Sequence, residues 1–214
     1  MLGANDGIVS VAAIIAGVAA AGQDRSAVAA AGLAGLVAGG ASIAAAEYVS
    51  SSSQADAQKA DLERERHELR SDPAGERDEL AGIYRQRGLS PGLAEHVADE
   101  LSETDETEDL LAVHAREELE LTHRSWMPPV SGAGTAAVSF LAGGLLPLIA
   151  VLVSPASIRI EVTIAAAVVA LAINGWVGAY AGGAPATRGI VRVVACGLAA
   201  MLLTMAVGRF GQAL

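Results

Sequence analysis

Five long apolar stretches constrain the fold of this sequence more than any other feature. They cover residues 3–22, 27–50, 130–153, 160–183 and 190–210. Each reaches or approaches the roughly 20 apolar residues that an α-helix needs to cross a hydrocarbon core. Backbone groups in lipid must be hydrogen-bonded within their own segment, so the stretches predict an all-α membrane protein with five transmembrane helices.

The ionisable residues are concentrated between the second and third stretches. Residues 51–125 hold 20 of the 24 Asp and Glu side chains, 9 of the 14 Lys and Arg side chains, and all four His. A net charge of −10 favours cations as partners and argues against nucleic acid, whose phosphates need a basic surface. The single cysteine, Cys196, excludes a disulfide-stapled scaffold and a multi-cysteine zinc site.

The distribution of Lys and Arg predicts the orientation in the membrane. No basic region precedes the first stretch and Asp6 lies inside it, so we interpret it as a span and not as a secretory signal. With residues 51–125 in the cytoplasm, seven Lys or Arg lie near inner membrane ends against three outside. We therefore expect a multi-pass protein of the cell membrane: helices 1 and 2 in residues 1–50, a cytoplasmic helical domain in 51–125, and helices 3 to 5 in 126–214.

Start and stop signals divide the acidic segment into about three helices after a charged continuation of the second span. The signals are Asp72-Pro73 and Ser90-Pro91 as starts, Gly88 as a stop, and Asp105 with Glu108 at capping-box spacing. The apolar residues of this segment can form only a small core. Such a domain is expected to need a metal, a partner subunit or both for full stability.

Two Glu-x-x-Glu pairs, Glu65/Glu68 and Glu76/Glu79, are the first candidates for metal binding. Residues three apart share a helix face, so each pair can present two carboxylates to a divalent cation. His114 and Glu118, four residues apart, could add an imidazole and a further carboxylate. The alternative is a solvated acidic face, because the same spacing recurs at 100/103, 103/106 and 117/120.

Asp6 and Glu47 are acids within the first and second spans. An ionised side chain in the membrane is costly unless it is paired, hydrated or bound to metal, which favours a functional role. The alternative is that both lie at the membrane boundary, since Asp6 is near the start of its span and Glu47 near the end of its own.

Several motifs in this order resemble the vacuolar iron transporter family in its bacterial form, over essentially the whole chain. They are Gly3-Ala4-Asn5-Asp6-Gly7, Ala46-Glu47-Tyr48-Val49-Ser50, Glu76-x-x-Glu79-Leu80, His114-Ala115-Arg116-Glu117-Glu118-Leu119 and Leu146-Pro147-Leu148. The resemblance implies a homodimer that exports cytosolic Fe(II), with Mn(II) as a further substrate, in exchange for protons. No organic cofactor and no enzymatic activity are expected.

The resemblance also implies roles for individual residues. Asp6 matches the acid of the translocation path, and Ile43 stands where the family has a methionine, so the path is expected to include Asp6, Glu47 and Ile43. The glutamates that match the family's cytoplasmic metal-binding positions are Glu65, Glu68, Glu76, Glu79 and Glu118. His114 stands where a plant relative would have methionine, and it is expected to be a metal ligand as well.

Two functions without transport remain as alternatives. A carboxylate-rich helical domain could oxidise Fe(II), as di-iron bundles do with two Glu-x-x-His motifs. This sequence has one such spacing, Glu120-x-x-His123. The other alternative is a membrane-anchored metal sensor. Metal flux into sealed vesicles separates transport from both.

Overall fold

The computed structural model describes residues 2–103, 107–119 and 128–212, and within them the chain forms α-helices, one 3₁₀ turn and no strand. The helices are α1 (Leu2–Ala20), α2 (Arg25–Ser71), α3 (Pro73–Gln86), α4 (Pro91–Ser102), α5 (Thr107–Glu117), α6 (Pro129–Val153), α7 (Arg159–Ala181) and α8 (Ala186–Gln212). The 3₁₀ turn, Ala156–Ile158, directly precedes α7. The predicted all-α fold is confirmed.

Five of the helices, α1, α2, α6, α7 and α8, are long and apolar enough to cross a membrane. They coincide with the five predicted spans, and the chain is therefore a multi-pass membrane protein. The link between α1 and α2 is a tight turn in which Gly22 has a φ of 74°, a left-handed conformation that favours glycine. Asp24 then caps the start of α2, because its Oδ1 accepts a hydrogen bond from the Ala27 N–H over 2.8 Å.

The chain folds into two compact units. The membrane unit consists of Met1–Val49 and Pro129–Leu214, and the acidic unit consists of Ser50–Pro128. The long helix α2 contributes residues to both.

Helix α1 lies at the centre of the membrane unit. It packs against α6, α7 and α8, and its residues Val11, Ala12, Ile15 and Ala16 are fully buried. Glycines allow the closest approach: a Cβ on Gly7 would lie 2.1 Å from the Phe140 carbonyl oxygen of α6. The backbones of α1 and α6 are therefore in direct contact, as small residues permit in membranes.

Helices α7 and α8 pack antiparallel through a second pair of glycines. A Cβ on Gly175 would lie 2.9 Å from Ile190 Cα, and one on Gly189 would lie 2.8 Å from the Gly175 carbonyl oxygen. This contact brings the last turns of α7 and the first turns of α8 together at one end of the unit.

The acidic unit has a small core formed by α3, α4 and α5. Leu80, Ala81 and Ala98 are buried at its centre, with Leu101 and Val113 packed against them. Two ion pairs support these contacts at the surface. Arg77 on α3 pairs with Asp99 on α4, and Arg87 after α3 pairs with Glu117 at the end of α5.

The predicted helix start and stop signals of this unit coincide with the ends of its helices. Asp72 caps α3 by accepting the Gly75 N–H over 3.0 Å, and Gly88 adopts a φ of 98° after α3. Ser90 precedes α4 but makes no side-chain capping bond. Asp105, the predicted partner of Glu108 in a capping pair, lies outside the described part of the chain.

Candidate metal centre

Four side chains that are distant in sequence meet inside the acidic unit. Glu65 lies on α2, Glu76 on the first turn of α3, and His114 on α5, while Glu118 follows the last residue of α5. Each offers one ligand atom, and these atoms lie within 4.8 Å of one another. We call this group the Glu/His cluster.

The imidazole of His114 is at the centre of the cluster. Its Nδ1 lies 2.8 Å from Glu65 Oε1, 3.7 Å from Glu76 Oε2 and 3.6 Å from Glu118 Oε2. Three carboxylates thus face a single ring nitrogen.

The cluster is buried, and several of its polar atoms have no hydrogen bond to any described residue. Exposed fractions are 3% for Glu65, 8% for Glu76 and 1% for His114. The atoms without a hydrogen bond are Glu65 Oε1, Glu118 Oε2 and both ring nitrogens of His114. Although Nδ1 lies 2.8 Å from Glu65 Oε1, their orientation is not that of a hydrogen bond. Leaving each such atom unsatisfied costs about 1–3 kcal/mol, which a bound cation would offset.

The raised pKa values of the three carboxyl groups also favour a bound cation in the cluster. Burial, followed by repulsion from Glu118, raises the pKa of Glu65 to about 7. Burial and repulsion from Glu65 raise the pKa of Glu76 to about 7 as well. Burial also raises the pKa of the Glu118 carboxyl, with repulsion from Glu79 adding to it. Among the described residues, no Lys or Arg forms a salt bridge with these three carboxylates. Within the cluster, attraction to His114 acts the other way and lowers the pKa of Glu76, but it is a smaller cause than burial and repulsion from Glu65.

The donor set suits a divalent transition metal. Carboxylate and imidazole ligands bind such ions at about 2.0–2.2 Å, so opposite ligand atoms lie roughly 4 Å apart. The spacing within the cluster requires only small side-chain movements to reach that geometry. Ca²⁺ takes 6–8 oxygen ligands, whereas an imidazole nitrogen favours Fe(II) or Zn(II), and the three carboxylates also suit Mn(II).

Two predicted ligands, Glu68 and Glu79, lie outside the Glu/His cluster. Glu68 is half-buried on α2 and Glu79 is exposed on α3. Their charges still act on the cluster, since repulsion from both raises the pKa of Glu65. Their metal-binding role stays a prediction, as does that of the four clustered residues.

In the membrane unit, Asp6 and Ile43 line the same cavities. One cavity of about 430 Å³ is bounded by Asp6, Ser10, Ser42, Ile43 and Phe140 among others. A second, of about 330 Å³, contains Asp6, Ile43 and Cys196. Glu47 is exposed on α2 and lines neither of these two cavities. The assignment of the three residues to a translocation path stays a prediction.

Sequence reasoning missed Ser10 as a partner of Asp6. The Ser10 hydroxyl donates to Asp6 Oδ1 over 2.9 Å and holds the carboxylate beside the cavity. The signal was present in the sequence, because residues four apart share a helix face. The Glu120-x-x-His123 spacing of the oxidase alternative lies outside the described residues.

Comparison with known proteins identifies relatives over nearly the entire chain. A family model described as "VIT family" matches residues 1–209. The chain is 39% identical over 215 residues to a "Vacuolar iron transporter" from Acanthamoeba castellanii, covering 100% of this chain and 78% of the relative. It is 35% identical over 208 residues to "Vacuolar iron transporter homolog 1" of Oryza sativa subsp. japonica, covering 97% and 70%. A third relative, "Vacuolar iron transporter homolog 2" of Arabidopsis thaliana, is 32% identical over 205 residues, covering 95% and 78%.

Proposed function

The chain belongs to the VIT family, and from this premise we propose that it transports divalent iron across a membrane, out of the cytoplasm. The observation that carries the proposal is the Glu/His cluster, a buried site with unsatisfied ligand atoms in a chain with five potential membrane spans. Its relatives are transporters, which favours transport over iron oxidation. Mn(II) has similar ligand preferences and is proposed as a second substrate.

The acidic unit collects the ion from the cytoplasm in this proposal. Glu65, Glu76, His114 and Glu118 hold it directly, while Glu68 and Glu79 add negative charge around the site. A concentration of negative charge raises the local concentration of cations and their rate of arrival. The orientation that places this unit in the cytoplasm of a cell-membrane protein rests on the distribution of Lys and Arg.

The ion crosses the membrane beside Asp6, with Ile43 on the wall and Glu47 nearer the cytoplasmic end of α2. Asp6 is exposed in the single chain and borders two cavities between helices. A carboxylate in this position needs further ligands, and a two-fold homodimer built on α1 and α2 would bring a second Asp6. We therefore propose a homodimer with the path at its axis.

Protons drive the export by competing for the same carboxylates. A carboxylate binds either a proton or a metal ion, so protonation releases metal and metal binding releases protons. Glu65 and Glu76, whose pKa lies at about 7, can make this exchange near neutral pH.

Flux into sealed proteoliposomes tests the function. Purified full-length protein is reconstituted, and uptake of Fe(II), Mn(II), Zn(II) and Ca(II) is measured with and without a proton gradient. We expect Fe(II) flux that depends on protein and increases with a proton gradient of opposite direction. Metal binding without flux of any of the four ions would contradict transport and favour a sensor.

A further inference from the structure

A cavity of about 540 Å³ lies where α1, α7 and α8 meet in the membrane unit, and it borders the 330 Å³ cavity beside Asp6 through Asn5 and Val193. Its polar lining residues are Asn5, Asn174, Arg188 and Arg192, and the others are Gly, Ala, Pro and Val. Since small residues form most of the wall, the opening exposes backbone and the four polar side chains to any occupant.

The cavity carries the positive charge of two arginines. Arg188 and Arg192 are four residues apart on α8 and share a helix face. Neither forms a salt bridge with any described residue, and no Asp or Glu lines the cavity. Arg192 lies about 9 Å along α8 from its start, at a rise of about 1.5 Å per residue. A guanidinium at this depth of a spanning helix calls for an anion or water.

Aromatic side chains place this end of the unit at the membrane surface. Trp176 and Tyr180 on α7 are stacked, with ring centroids 6.0 Å apart, and are 52% and 79% exposed. Trp and Tyr concentrate at the level of the lipid headgroups. They alternate along α7 with residues that line the cavity, so we expect lipid phosphates at the level of Arg188 and Arg192.

The cavity also contains an acceptor that lacks a donor. Asn5 Oδ1 is buried and accepts no hydrogen bond from any described residue. A phosphate in the cavity would pair with the two guanidinium groups, and a hydroxyl or ammonium group of the same ligand that reached Asn5 Oδ1 would satisfy that acceptor. Anionic phospholipids such as phosphatidylglycerol have this combination.

We propose that this cavity binds the phosphate group of an anionic lipid headgroup, held by Arg188 and Arg192 and oriented by Asn5 and Asn174. Guanidinium groups bind phosphate oxygens through paired hydrogen bonds. Basic pockets between transmembrane helices are a known means of lipid headgroup binding. Inorganic phosphate shares this chemistry and is the alternative source of the ligand.

Lipid binding to the full-length protein in an uncharged detergent tests the proposal. Native mass spectrometry and thermal unfolding are followed during titration with phosphatidylglycerol, phosphatidylcholine or sodium phosphate at constant ionic strength. The test variant is Arg188→Gln with Arg192→Gln, and the control is Arg159→Gln with Arg209→Gln. The control arginines lie at the opposite ends of α7 and α8.

We expect the wild type and the control to bind phosphatidylglycerol at least tenfold more tightly than phosphatidylcholine, and the test variant to lose this preference. Saturation by millimolar phosphate without a preference for the anionic lipid would support the same site with free phosphate as the ligand. Equal binding of both lipids by the wild type, with no effect of phosphate, would overturn the proposal. Retention of the preference by the test variant would overturn it too. If the test variant does not fold, competition between phosphate and phosphatidylglycerol on the wild type decides the outcome.

Discussion

His114 Nδ1 lies 2.8 Å from Glu65 Oε1 in the acidic unit, and both side chains are almost completely buried. Burying an imidazole beside three carboxylates, with both ring nitrogens and two carboxylate oxygens lacking a hydrogen bond to any described residue, is unfavourable in a protein that binds nothing there. A divalent ion between them would convert the unsatisfied atoms into ligands.

Removing one carboxylate of the Glu/His cluster should weaken metal binding strongly. Glu76→Gln keeps the size of the side chain but loses the charge and one ligand oxygen, so we expect an affinity loss on the order of 100-fold. Calorimetric titration of the full-length protein with Mn(II) measures it. Glu100→Gln, an exposed acid of α4 outside the cluster, is the matched control and should bind as the wild type does. Equal losses in both variants would mean that only overall charge matters.

Replacing His114 should change which metals bind. His114→Asp converts the donor set to oxygen alone, which favours Ca(II) and Mg(II) relative to Fe(II) and Zn(II). We expect the ratio of Zn(II) to Ca(II) affinity to fall at least tenfold in the variant. Competition between the two ions in a binding assay measures this ratio directly. An unchanged ratio would show that the imidazole is not a ligand.

Acidification should weaken metal binding but stabilise the ion-free protein. Glu65 and Glu76 have a pKa of about 7 in the folded protein against an ordinary value of 4.5. Between these values the folded state binds more protons than the unfolded chain, so stability contributed by these groups increases as pH falls from about 7 towards 4.5. Metal ions need the deprotonated carboxylates, and their affinity falls over the same range.

Thermal unfolding at pH 8 and pH 5.5, with and without Mn(II), measures both effects. We expect Mn(II) to raise the melting temperature of the full-length protein much more at pH 8. Without the ion, Glu65→Gln with Glu76→Gln should reduce the pH dependence. A stabilisation by Mn(II) that is larger at pH 5.5 than at pH 8 would contradict the predicted loss of metal affinity on acidification.

Asp6→Asn should abolish metal flux and leave binding to the acidic unit intact. The variant keeps the size and the hydrogen bond from Ser10 but removes the charge beside the cavities. By contrast, Glu76→Ala with Glu79→Ala should raise the metal concentration needed for half-maximal flux. Glu161→Gln, an exposed acid at the start of α7, is the control in the proteoliposome assay. Wild-type flux by Asp6→Asn would place the path elsewhere.

Gly143→Ala should destabilise the membrane unit, because its Cβ would lie 2.2 Å from the Ala4 carbonyl oxygen of α1. The backbones of α1 and α6 would have to separate, and a loss on the order of 1–3 kcal/mol is expected. Gly134→Ala on the same helix meets nothing within 4 Å and should be neutral or stabilising. Thermal unfolding in detergent compares the two variants. A similar melting temperature for both would mean that α1 and α6 are not in close contact.

The sequence by itself determined the helical architecture of this protein. The five spans depend on the length and apolarity of local stretches, and each stretch lies within one long helix of the structure except for one or two residues at its end; α2 continues past its stretch to Ser71. The ends of α3 followed from Asp72-Pro73 and Gly88, because capping and left-handed glycine are local effects. The segregation of charge between residues 51 and 125 also predicted a separate acidic segment.

Only the tertiary structure decided which acids meet. Glu65 and Glu68 are equivalent by spacing, as are Glu76 and Glu79, so no periodicity could distinguish them. The packing of the acidic unit buries Glu65 and Glu76 beside His114 and leaves Glu79 in solvent. The same holds for Arg188 and Arg192, which line a cavity where Gly175 and Gly189 bring α7 and α8 into close contact. Helix formation depends on neighbours in sequence, whereas a binding site depends on burial and distance between segments that are far apart along the chain.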